Sequence, residues 1–249
     1  MFNVVIVLER KPIHIKAKPE DIAKNVIAVG DPGRVEILME LLDDAKIVNK
    51  HRGFIIATGF YKDTRVSIAT HGVGGPSAAI VFEELVMLGA KNIVRLGTAG
   101  GLVKELDIGS IYVATGAGGI VNGGGLSLYA PNYIPAASPD PWLTVGIMDS
   151  LERNRIKYYY GPVFSSDSFY AETPGLAEKL SSLGFKAIEM ECLTLFTLGW
   201  MRGFRTAAVL VISDNLVAEE FVFLTTMELK DKFIAVAKAI LETFSKLNK

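Results

Sequence analysis

Short apolar runs that end in glycine or in small polar residues recur along this chain, and segments with helical periodicity separate them. The first run is Val26–Val29, which leads directly into Gly30-Asp31-Pro32-Gly33-Arg34. A short apolar run bounded by turn residues is typical of a buried strand. The same pattern predicts strands at 65–70, 92–96, 110–115 and 206–212, with helices from about 77 to 88 and from about 226 to 246.

Strands that alternate with helices predict an α/β fold with a mostly parallel, mixed central β-sheet flanked by helices. No Pro/Ser-rich linker, charge block or low-complexity tract interrupts the alternation, so we expect residues 1–249 to form one domain. In sheets of this kind, ligands bind beyond the carboxyl ends of the strands. The functional site is therefore expected where the predicted strands end.

Four of these strand ends carry polar or small residues. They are Gly30 with Arg34, the segment 72–77, Arg95 with Thr98, and Ser213 with Asp214. A glycine turn that opens into a helix directs backbone N–H groups at one point, and an arginine there adds a fixed positive charge. Gly30 and Arg34 thus predict a phosphate site. An ordinary strand-to-helix turn with a solvated arginine explains the same motif equally well.

Arg95 is the most informative of these residues because it interrupts an otherwise apolar strand. A buried guanidinium is costly unless it meets an anion. One interpretation is a dianion site that combines Arg34, Arg95 and the Thr98 hydroxyl with glycine N–H groups. The alternative is an internal ion pair between Arg95 and a carboxylate.

Two neighbouring glutamates, Glu189 and Glu191, form a second candidate group. The sequence turns here from an apolar strand into a helix, which predicts that the two side chains lie on different faces and that only one faces the site. A carboxylate suits sugar hydroxyls because it accepts two charge-assisted hydrogen bonds from them. Both glutamates are also explained as helix-start residues that the helix dipole favours.

Composition narrows the classes of function. The 249 residues are 50% apolar and carry a net charge of −1 with both signs dispersed, so the charge pattern of a nucleic-acid-binding or membrane-surface protein is absent. A small ligand is therefore expected. The single cysteine, Cys192, excludes an internal disulfide, and the spacing of the three histidines matches no common ligand motif, so we predict no metal.

The N-terminal residues 1–8 are apolar, but they lack the basic start and the cleavage site of a secretory signal. They are also too few to span a bilayer, so a cytoplasmic protein is expected. The chain contains no glutamine, which is a thermolabile residue, and this favours a thermophilic source.

Five motifs that stand in register carry a resemblance to a known family. They are Gly30-Asp31-Pro32-Gly33-Arg34, Arg95-Leu96-Gly97-Thr98-Ala99-Gly100, Phe164-Ser165-Ser166-Asp167-Ser168-Phe169-Tyr170, Glu189-Met190-Glu191 and Ser213-Asp214-Asn215. From about Pro12 to the C-terminal helix, the chain resembles the nucleoside phosphorylases of the hexameric type, and within them the archaeal 5′-methylthioadenosine and purine nucleoside phosphorylases. The resemblance implies reversible phosphorolysis of a nucleoside to the free base and ribose 1-phosphate, or 5-methylthioribose 1-phosphate. Inorganic phosphate is then a co-substrate and no cofactor takes part.

The resemblance also implies roles for particular residues. Phosphate would be bound by Gly30, Arg34, Arg95 and Thr98, together with Arg52 from a neighbouring subunit. The nucleoside would be bound by Phe169, Glu189, Met190, Glu191 and Ser213, with His14 lent by a neighbour to the sugar 5′ end, and Asp214 would be the acid. Residues lent between subunits imply a homo-oligomer, expected to be a hexamer built as a trimer of dimers.

The base is predicted to be a purine. Uridine phosphorylases, which share the fold, carry a Gln-x-Arg pair after the Phe-Tyr segment, whereas Phe169-Tyr170 is followed here by Ala171-Glu172-Thr173-Pro174. One departure from the bacterial purine enzymes is that this chain has no arginine after Arg205 to assist the acid. Lys230 or Lys232 is a candidate substitute, and Asp214 acting unaided is the alternative.

Several alternatives stay open on the sequence alone. His14 would favour a 5′ hydroxyl, while the apolar segment 221–224 would favour a methylthio group if it lines the pocket. The competing functions are a uridine phosphorylase, a nucleoside hydrolase of the same fold that uses water, and a non-catalytic nucleotide-binding module. Arg34, Arg52 and Arg95 argue against the hydrolase, because an enzyme that uses water has no anion to bind.

Overall fold

The computed structural model describes residues 11–121, 123–171, 173–218 and 222–247. Two features discussed under Sequence analysis, the apolar run 1–8 and Phe221 of the segment 221–224, lie outside the described residues. Within the described ranges, none of the helices is both long and apolar enough to cross a lipid bilayer.

Strands and helices alternate along most of the described chain, as predicted. In chain order the elements are β1 (Asn25–Val29), α1 (Pro32–Met39), β2 (Asp43–Asn49), β3 (Ile56–Tyr61), β4 (Thr64–Thr70), α2 (Gly75–Met87), β5 (Asn92–Gly101), β6 (Ile111–Gly119), α3 (Pro141–Arg153), β7 (Tyr158–Ser165), α4 (Leu176–Ser182), β8 (Ala187–Glu189), α5 (Cys192–Arg202), β9 (Arg205–Asn215) and α6 (Lys230–Leu247). Short 3-10 helices lie at Pro19–Asp21, His51–Gly53 and Phe169–Ala171.

The described strands form one mixed sheet in the order β2-β3-β4-β1-β5-β8-β7-β6-β9. Strand β9 also pairs with β5, so strands β5 to β9 close into a ring. The central pairings β4–β1, β1–β5 and β5–β9 are parallel, as are β6–β7 and β7–β8. The other four pairings are antiparallel. The predicted α/β fold with a mixed central sheet is confirmed.

The central strand β1 is buried on both faces, which explains its continuous apolar sequence. Because successive side chains point to opposite faces of a sheet, Val26 and Ala28 enter one core, where α2 and α5 pack. Ile27 and Val29 enter a second core, where α1, α3 and α6 pack. Helices therefore cover both faces, and ligands can enter only at the strand ends or from the edges.

Three of the predicted strands, β5, β6 and β9, run further than the apolar pattern predicts. Strand β5 continues from Leu96 through Gly97–Gly101, which the pattern treats as a closing loop, because this stretch pairs in parallel with β9. Strand β9 likewise includes Ser213–Asn215. Backbone pairing needs no apolar side chain, so the small and polar residues at both strand ends still belong to the sheet. The C-terminal helix begins at Lys230, four residues later than predicted.

Candidate active site

A cavity of about 500 Å³ opens at the carboxyl ends of β1, β5 and β9. It is bordered by ten of the twelve residues that the sequence predicts for the site. The ten are Gly30, Arg34, Arg95, Thr98, Phe169, Glu189, Met190, Glu191, Ser213 and Asp214. His14 and Arg52 lie elsewhere in the subunit. Strand ends from separate parts of the chain thus meet at one place, as the sheet topology predicts.

The loop after β1 contributes a side chain to this cavity rather than a set of free helix amides. Asp31 is the N-cap of α1, and its Oδ1 accepts a hydrogen bond from Gly33 N at 2.8 Å. Arg34 N donates to Asp31 O at 3.1 Å. The expectation that helix N–H groups point at a ligand is therefore wrong for these two amides, because the cap already binds them. Gly30 and the Arg34 side chain still border the cavity.

Arg34 is buried, with 7% of its surface exposed. Its Nε donates to Thr226 Oγ1 at 3.1 Å, and its Cζ lies 4.3 Å from the centre of the Phe233 ring. Burial, helped by the charge of Arg95, lowers the pKa of Arg34 to about 10. Within the described part of the chain, no carboxylate forms an ion pair with it. A buried guanidinium of this kind at a cavity wall suits an anionic ligand.

Arg95 lies on β5 between two carboxylates. Its Nε is 3.2 Å from Glu189 Oε2, and its Nη2 is 2.5 Å from Glu191 Oε2. Burial acts to lower the pKa of Arg95, but Glu191 and Glu189 raise it above the ordinary value, so the guanidinium stays charged. The internal ion pair considered from the sequence is thus present, and Arg95 borders the cavity as well. Ion pairing fixes the orientation of the guanidinium, which has more N–H donors than these two bonds use.

Both glutamates reach Arg95, so the expectation that only one of them faces the site is wrong. Strand β8 ends at Glu189 and helix α5 begins at Cys192. The chain bends between these points, at Met190 and Glu191, and the strict alternation of strand side chains no longer applies. Both carboxylates border the cavity as a result.

The two glutamates nevertheless make different contacts. Glu189 accepts hydrogen bonds from Cys192 N at 2.9 Å and from the Ser165 hydroxyl, so it is the carboxylate that stabilises the start of α5. Glu191 accepts a hydrogen bond from Gly74 N at 2.6 Å. Burial raises the pKa of Glu191, against the opposing charge of Arg95. Of the pair, Glu191 is the better placed to bind a ligand because Glu189 is already engaged by the helix.

Gly97 gives the Arg95 side chain its space. The two residues point to the same face of β5, and a Cβ on Gly97 would lie 2.5 Å from Arg95 Cζ and 2.8 Å from Nη2. A side chain at this position would displace the guanidinium. The glycine of the Arg-Leu-Gly motif is thus explained by a close approach within a strand and not by a turn.

Asp214 lies at the end of β9, opposite Gly100 on β5. Its Oδ1 accepts a hydrogen bond from Ser213 Oγ at 2.7 Å. Burial raises the pKa of Asp214, although the hydrogen bond from Ser213 acts to lower it. A carboxyl group whose pKa is raised is able to carry a proton and donate it.

The two lysines considered as helpers of this acid do not border the cavity. Lys232 is exposed, and its Cε lies 3.6 Å from the position of a Cβ on Gly109, outside the cavity wall. Ser213 supplies the side-chain hydrogen bond that the described residues make to Asp214. The geometry favours the alternative in which Asp214 acts without a basic helper from these two positions.

The end of the cavity near Asp214 is mainly apolar. Phe169, half exposed, stands in the 3-10 helix Phe169–Ala171, and Phe223 approaches from the segment before α6. Ile188 and Leu216 complete this wall, and the sequence patterns did not identify them. Leu216 directly follows the Ser213-Asp214-Asn215 motif, and this position was the one sequence feature that could have indicated it. An apolar pocket with one acid suits a flat heterocyclic ring.

His14 and Arg52 lie outside the cavity of their own subunit. Glu84 on α2 accepts hydrogen bonds from His14 Nδ1 at 2.7 Å and from Ile15 N at 2.7 Å, which fixes the segment that carries the histidine. Arg52 is exposed and adopts a positive φ of 55°. The ring of Phe54 lies 6.4 Å from that of His14, so the two predicted residues belong to one region of the surface.

His71 is fully buried beside Arg95. Its Nε2 lies 3.3 Å from Arg95 Nη1, and its Nδ1 has no hydrogen-bond partner among the described residues. Burial and the charge of Arg95 lower the pKa of His71 well below the ordinary value, so the ring is neutral and accepts at Nε2. In the described ranges no cluster of three or more His, Cys, Asp or Glu side chains is arranged to hold a metal ion.

The family model and two relatives that match this chain all describe phosphorylases. The family model described as "Phosphorylase superfamily" matches residues 24–246. The guanosine phosphorylase of Halorubrum lacusprofundi is 34% identical over 208 residues, which cover 84% of this chain and 85% of that protein. The uridine phosphorylase of Thermococcus kodakarensis is 33% identical over 221 residues, covering 84% of this chain and 79% of that protein.

A solved structure has the same architecture. The crystal structure of purine nucleoside phosphorylase from Toxoplasma gondii in complex with immucillin-H superposes with a TM-score of 0.86 at 26% sequence identity. The match covers 95% of this chain and 97% of that one. The structural similarity therefore extends over nearly the whole chain.

Proposed function

Because this chain belongs to the phosphorylase superfamily, we propose that it catalyses the reversible phosphorolysis of purine nucleosides, with 5′-methylthioadenosine and adenosine as the first candidate substrates. It is an enzyme of the nucleoside phosphorylase type, a pentosyltransferase. The observation that supports the proposal best is the composition of one cavity, which has two buried arginines at one end and a buried aspartate among apolar side chains at the other. Such a cavity suits an anion and a heterocyclic base that react across a sugar.

The reaction separates charge, and the cavity supplies a group for each part. The bond between C1′ and the base breaks, its electron pair moves into the base, and C1′ acquires oxocarbenium character. Phosphate, bound by Gly30, Arg34, Arg95 and Thr98, attacks C1′ through an oxygen and forms the sugar 1-phosphate. Asp214 donates its proton to N7 of the departing purine and regains one from solvent. No cofactor is needed because phosphate is itself the nucleophile.

The sugar is proposed to lie between these ends. Glu191 accepts hydrogen bonds from the 2′ and 3′ hydroxyls, while Glu189 and Met190 complete this part of the pocket. Phe169 stacks on the base, and Ser213 holds the Asp214 carboxyl group. Each of these residues borders the cavity, which supports the assignment.

His14 and Arg52 are proposed to complete the cavity of a neighbouring subunit. Both lie in one surface region and neither borders the cavity of its own chain. We propose a homo-oligomer in which residues 1–249 form one domain, built as a hexamer from three dimers. His14 then approaches the sugar 5′ end, and Arg52 approaches phosphate.

A purine is preferred over uracil for two reasons. The chain has no glutamine, whereas uridine phosphorylases use a Gln-x-Arg pair to bind uracil. The cavity also places an acid, Asp214, beside apolar side chains. This arrangement suits a purine, because a purine leaves more readily when its N7 is protonated. Uridine phosphorolysis remains the second candidate because one relative with 33% identity has that activity in its name.

Base release with and without inorganic phosphate tests the proposal. We expect release of adenine from 5′-methylthioadenosine or adenosine only when phosphate is present, with inosine, guanosine and uridine as comparison substrates. Equal rates without phosphate would identify a hydrolase. Release from uridine alone would identify a uridine phosphorylase, and no release from any substrate would favour a binding protein.

A further inference from the structure

Thr226 connects two parts of the chain that lie far apart in sequence. Its Oγ1 accepts a hydrogen bond from Arg34 Nε at 3.1 Å and donates one to Asp31 Oδ2 at 3.0 Å. Asp31 uses its other oxygen, Oδ1, to cap helix α1 at Gly33 N. The Thr226 hydroxyl therefore has one fixed donor and one fixed acceptor, which hold these side chains in a single arrangement.

Among the described residues, few other contacts fix the Arg34 guanidinium. The Phe233 ring packs against one side of it, with Cζ 4.3 Å from the ring centre. No carboxylate among the described residues forms an ion pair with it, and an arginine side chain has many rotamers. Thr226 binds Nε, and none of the described residues binds either terminal Nη group, so both can bind a ligand in the cavity.

The segment 222–229, which carries Thr226, also reaches the other end of the cavity. Phe223 borders the cavity, and Leu224 N donates to Ser213 O at 2.9 Å, next to the proposed acid. Thr226 itself does not border the cavity. Thr226 can therefore affect a ligand in the cavity only through Arg34.

We propose that Thr226 is a positioning residue, which holds Arg34 so that both Nη groups point at phosphate. The inference rests on the proposed function, since that function assigns phosphate to Arg34. Without the hydroxyl, Arg34 Nε is a buried donor with no acceptor, and the guanidinium turns to find one. Phosphate affinity then falls, while the nucleoside end of the cavity keeps its side chains.

Three variants of the full chain test this role. Thr226→Val keeps the size and removes the hydroxyl, and Thr226→Ser keeps the hydroxyl. Thr225→Val is the matched control, since Thr225 is exposed and its Oγ1 binds Glu228 Oε2 at 2.7 Å, away from Arg34. Binding of inorganic phosphate is measured by calorimetry, and KM is measured separately for phosphate and for nucleoside.

We expect Thr226→Val to bind phosphate about tenfold more weakly and to raise the phosphate KM by a similar factor. The nucleoside KM should change by less than about twofold, and Thr226→Ser and Thr225→Val should resemble the wild type. Unchanged phosphate binding in Thr226→Val overturns the proposal, as does an equal loss in Thr225→Val or in Thr226→Ser.

Failure of the proposed function gives a different result. If the wild type releases base equally without phosphate, yet Thr226→Val still weakens phosphate binding, the enzyme is no phosphorylase and Thr226 still positions Arg34. If the wild type binds no phosphate, both the proposed function and the positioning role are overturned.

Discussion

The guanidinium of Arg95 lies directly over Gly97, two residues further along the same strand. A Cβ on Gly97 would come within 2.5 Å of Arg95 Cζ. A small shift of the guanidinium would not relieve this contact without disturbing the ion pairs that Arg95 makes with Glu189 and Glu191. The glycine is thus part of the geometry that places Arg95 at the cavity.

Gly97→Ala should therefore displace Arg95 and weaken phosphate binding. We expect the KM for phosphate to rise about tenfold or more, with a smaller change in the KM for nucleoside. The control is Gly116→Ala in strand β6, where the nearest atom to a new Cβ is 3.8 Å away. Steady-state kinetics with each substrate varied in turn gives both constants. A phosphate KM equal to that of Gly116→Ala would show that Arg95 does not bind phosphate.

Asp214→Asn should slow purine release by about a hundredfold or more, because an amide cannot donate the proton that the leaving base requires. In the wild type, activity should fall as pH rises through the pKa of Asp214, which burial raises. The rate of base release measured across pH checks both statements. A near-normal rate in Asp214→Asn would assign this residue to structure alone.

The same pKa predicts the sign of a stability change. A carboxyl whose pKa is raised on folding binds more protons in the folded state, so its contribution to stability falls as pH rises past the unfolded pKa. Asparagine does not ionise, so the Asp214→Asn variant does not lose stability in this way as pH rises. We expect the variant to have a higher Tm than the wild type at neutral pH, with the difference vanishing in acid, as measured by calorimetry.

The sequence predicts the place of the site well, because parallel strands bring their carboxyl ends to one edge whatever the details of each loop. The proximity of Gly30, Arg95 and Asp214 could be predicted on that basis alone. Glu189 and Glu191 could not, because their convergence on Arg95 depends on a bend at Met190 that alternation does not reveal.

Long-range contacts are the other part that the sequence does not reveal. Thr226 binds Arg34 from 192 residues away, and nothing in the local pattern of either residue indicates it. The capping of α1 by Asp31 was likewise hidden, because a phosphate loop and a plain helix start share the same residue types. The oligomer, the 5′ substituent and a thermophilic source stay predictions.

Glu191→Gln should reduce the preference for ribonucleosides over 2′-deoxyribonucleosides. A carboxylate accepts stronger hydrogen bonds from sugar hydroxyls than an amide does, and the 2′ hydroxyl is the group that a deoxynucleoside lacks. We expect the ratio of kcat/KM for the two substrates to fall about tenfold. Glu189→Gln, in contrast, should lower the Tm because Glu189 binds the start of α5. An unchanged ratio in Glu191→Gln would remove this residue from the sugar site.

Glu84→Gln should detach the segment that carries His14. Burial acts to raise the pKa of Glu84, but hydrogen bonds from the His14 ring and from the backbone of Ile13, His14 and Ile15 lower it below the ordinary value. Its contribution to stability is therefore present at neutral pH and lost as pH falls through the folded pKa. We expect a Tm lower by about 3 to 8 °C at neutral pH, a gap that narrows in acid.

The control for Glu84→Gln is Glu36→Gln, which changes an exposed glutamate on α1. Its Tm should equal that of the wild type at every pH. A constant gap between Glu84→Gln and the wild type across the acid range would mean that the ionised carboxylate is not the source of the stability.

The strongest test of the shared site mixes two inactive variants. Arg52→Ala and Asp214→Asn are co-expressed with different tags, and the mixed oligomer is purified. If Arg52 is lent to a neighbour, a cavity with an intact Asp214 can meet an intact Arg52 from the other chain, and random mixing should restore about a quarter of wild-type activity. Arg34→Ala mixed with Asp214→Asn is the control, because both residues border one cavity and no combination is intact. Equal activity of the two mixtures would place Arg52 outside the neighbouring site.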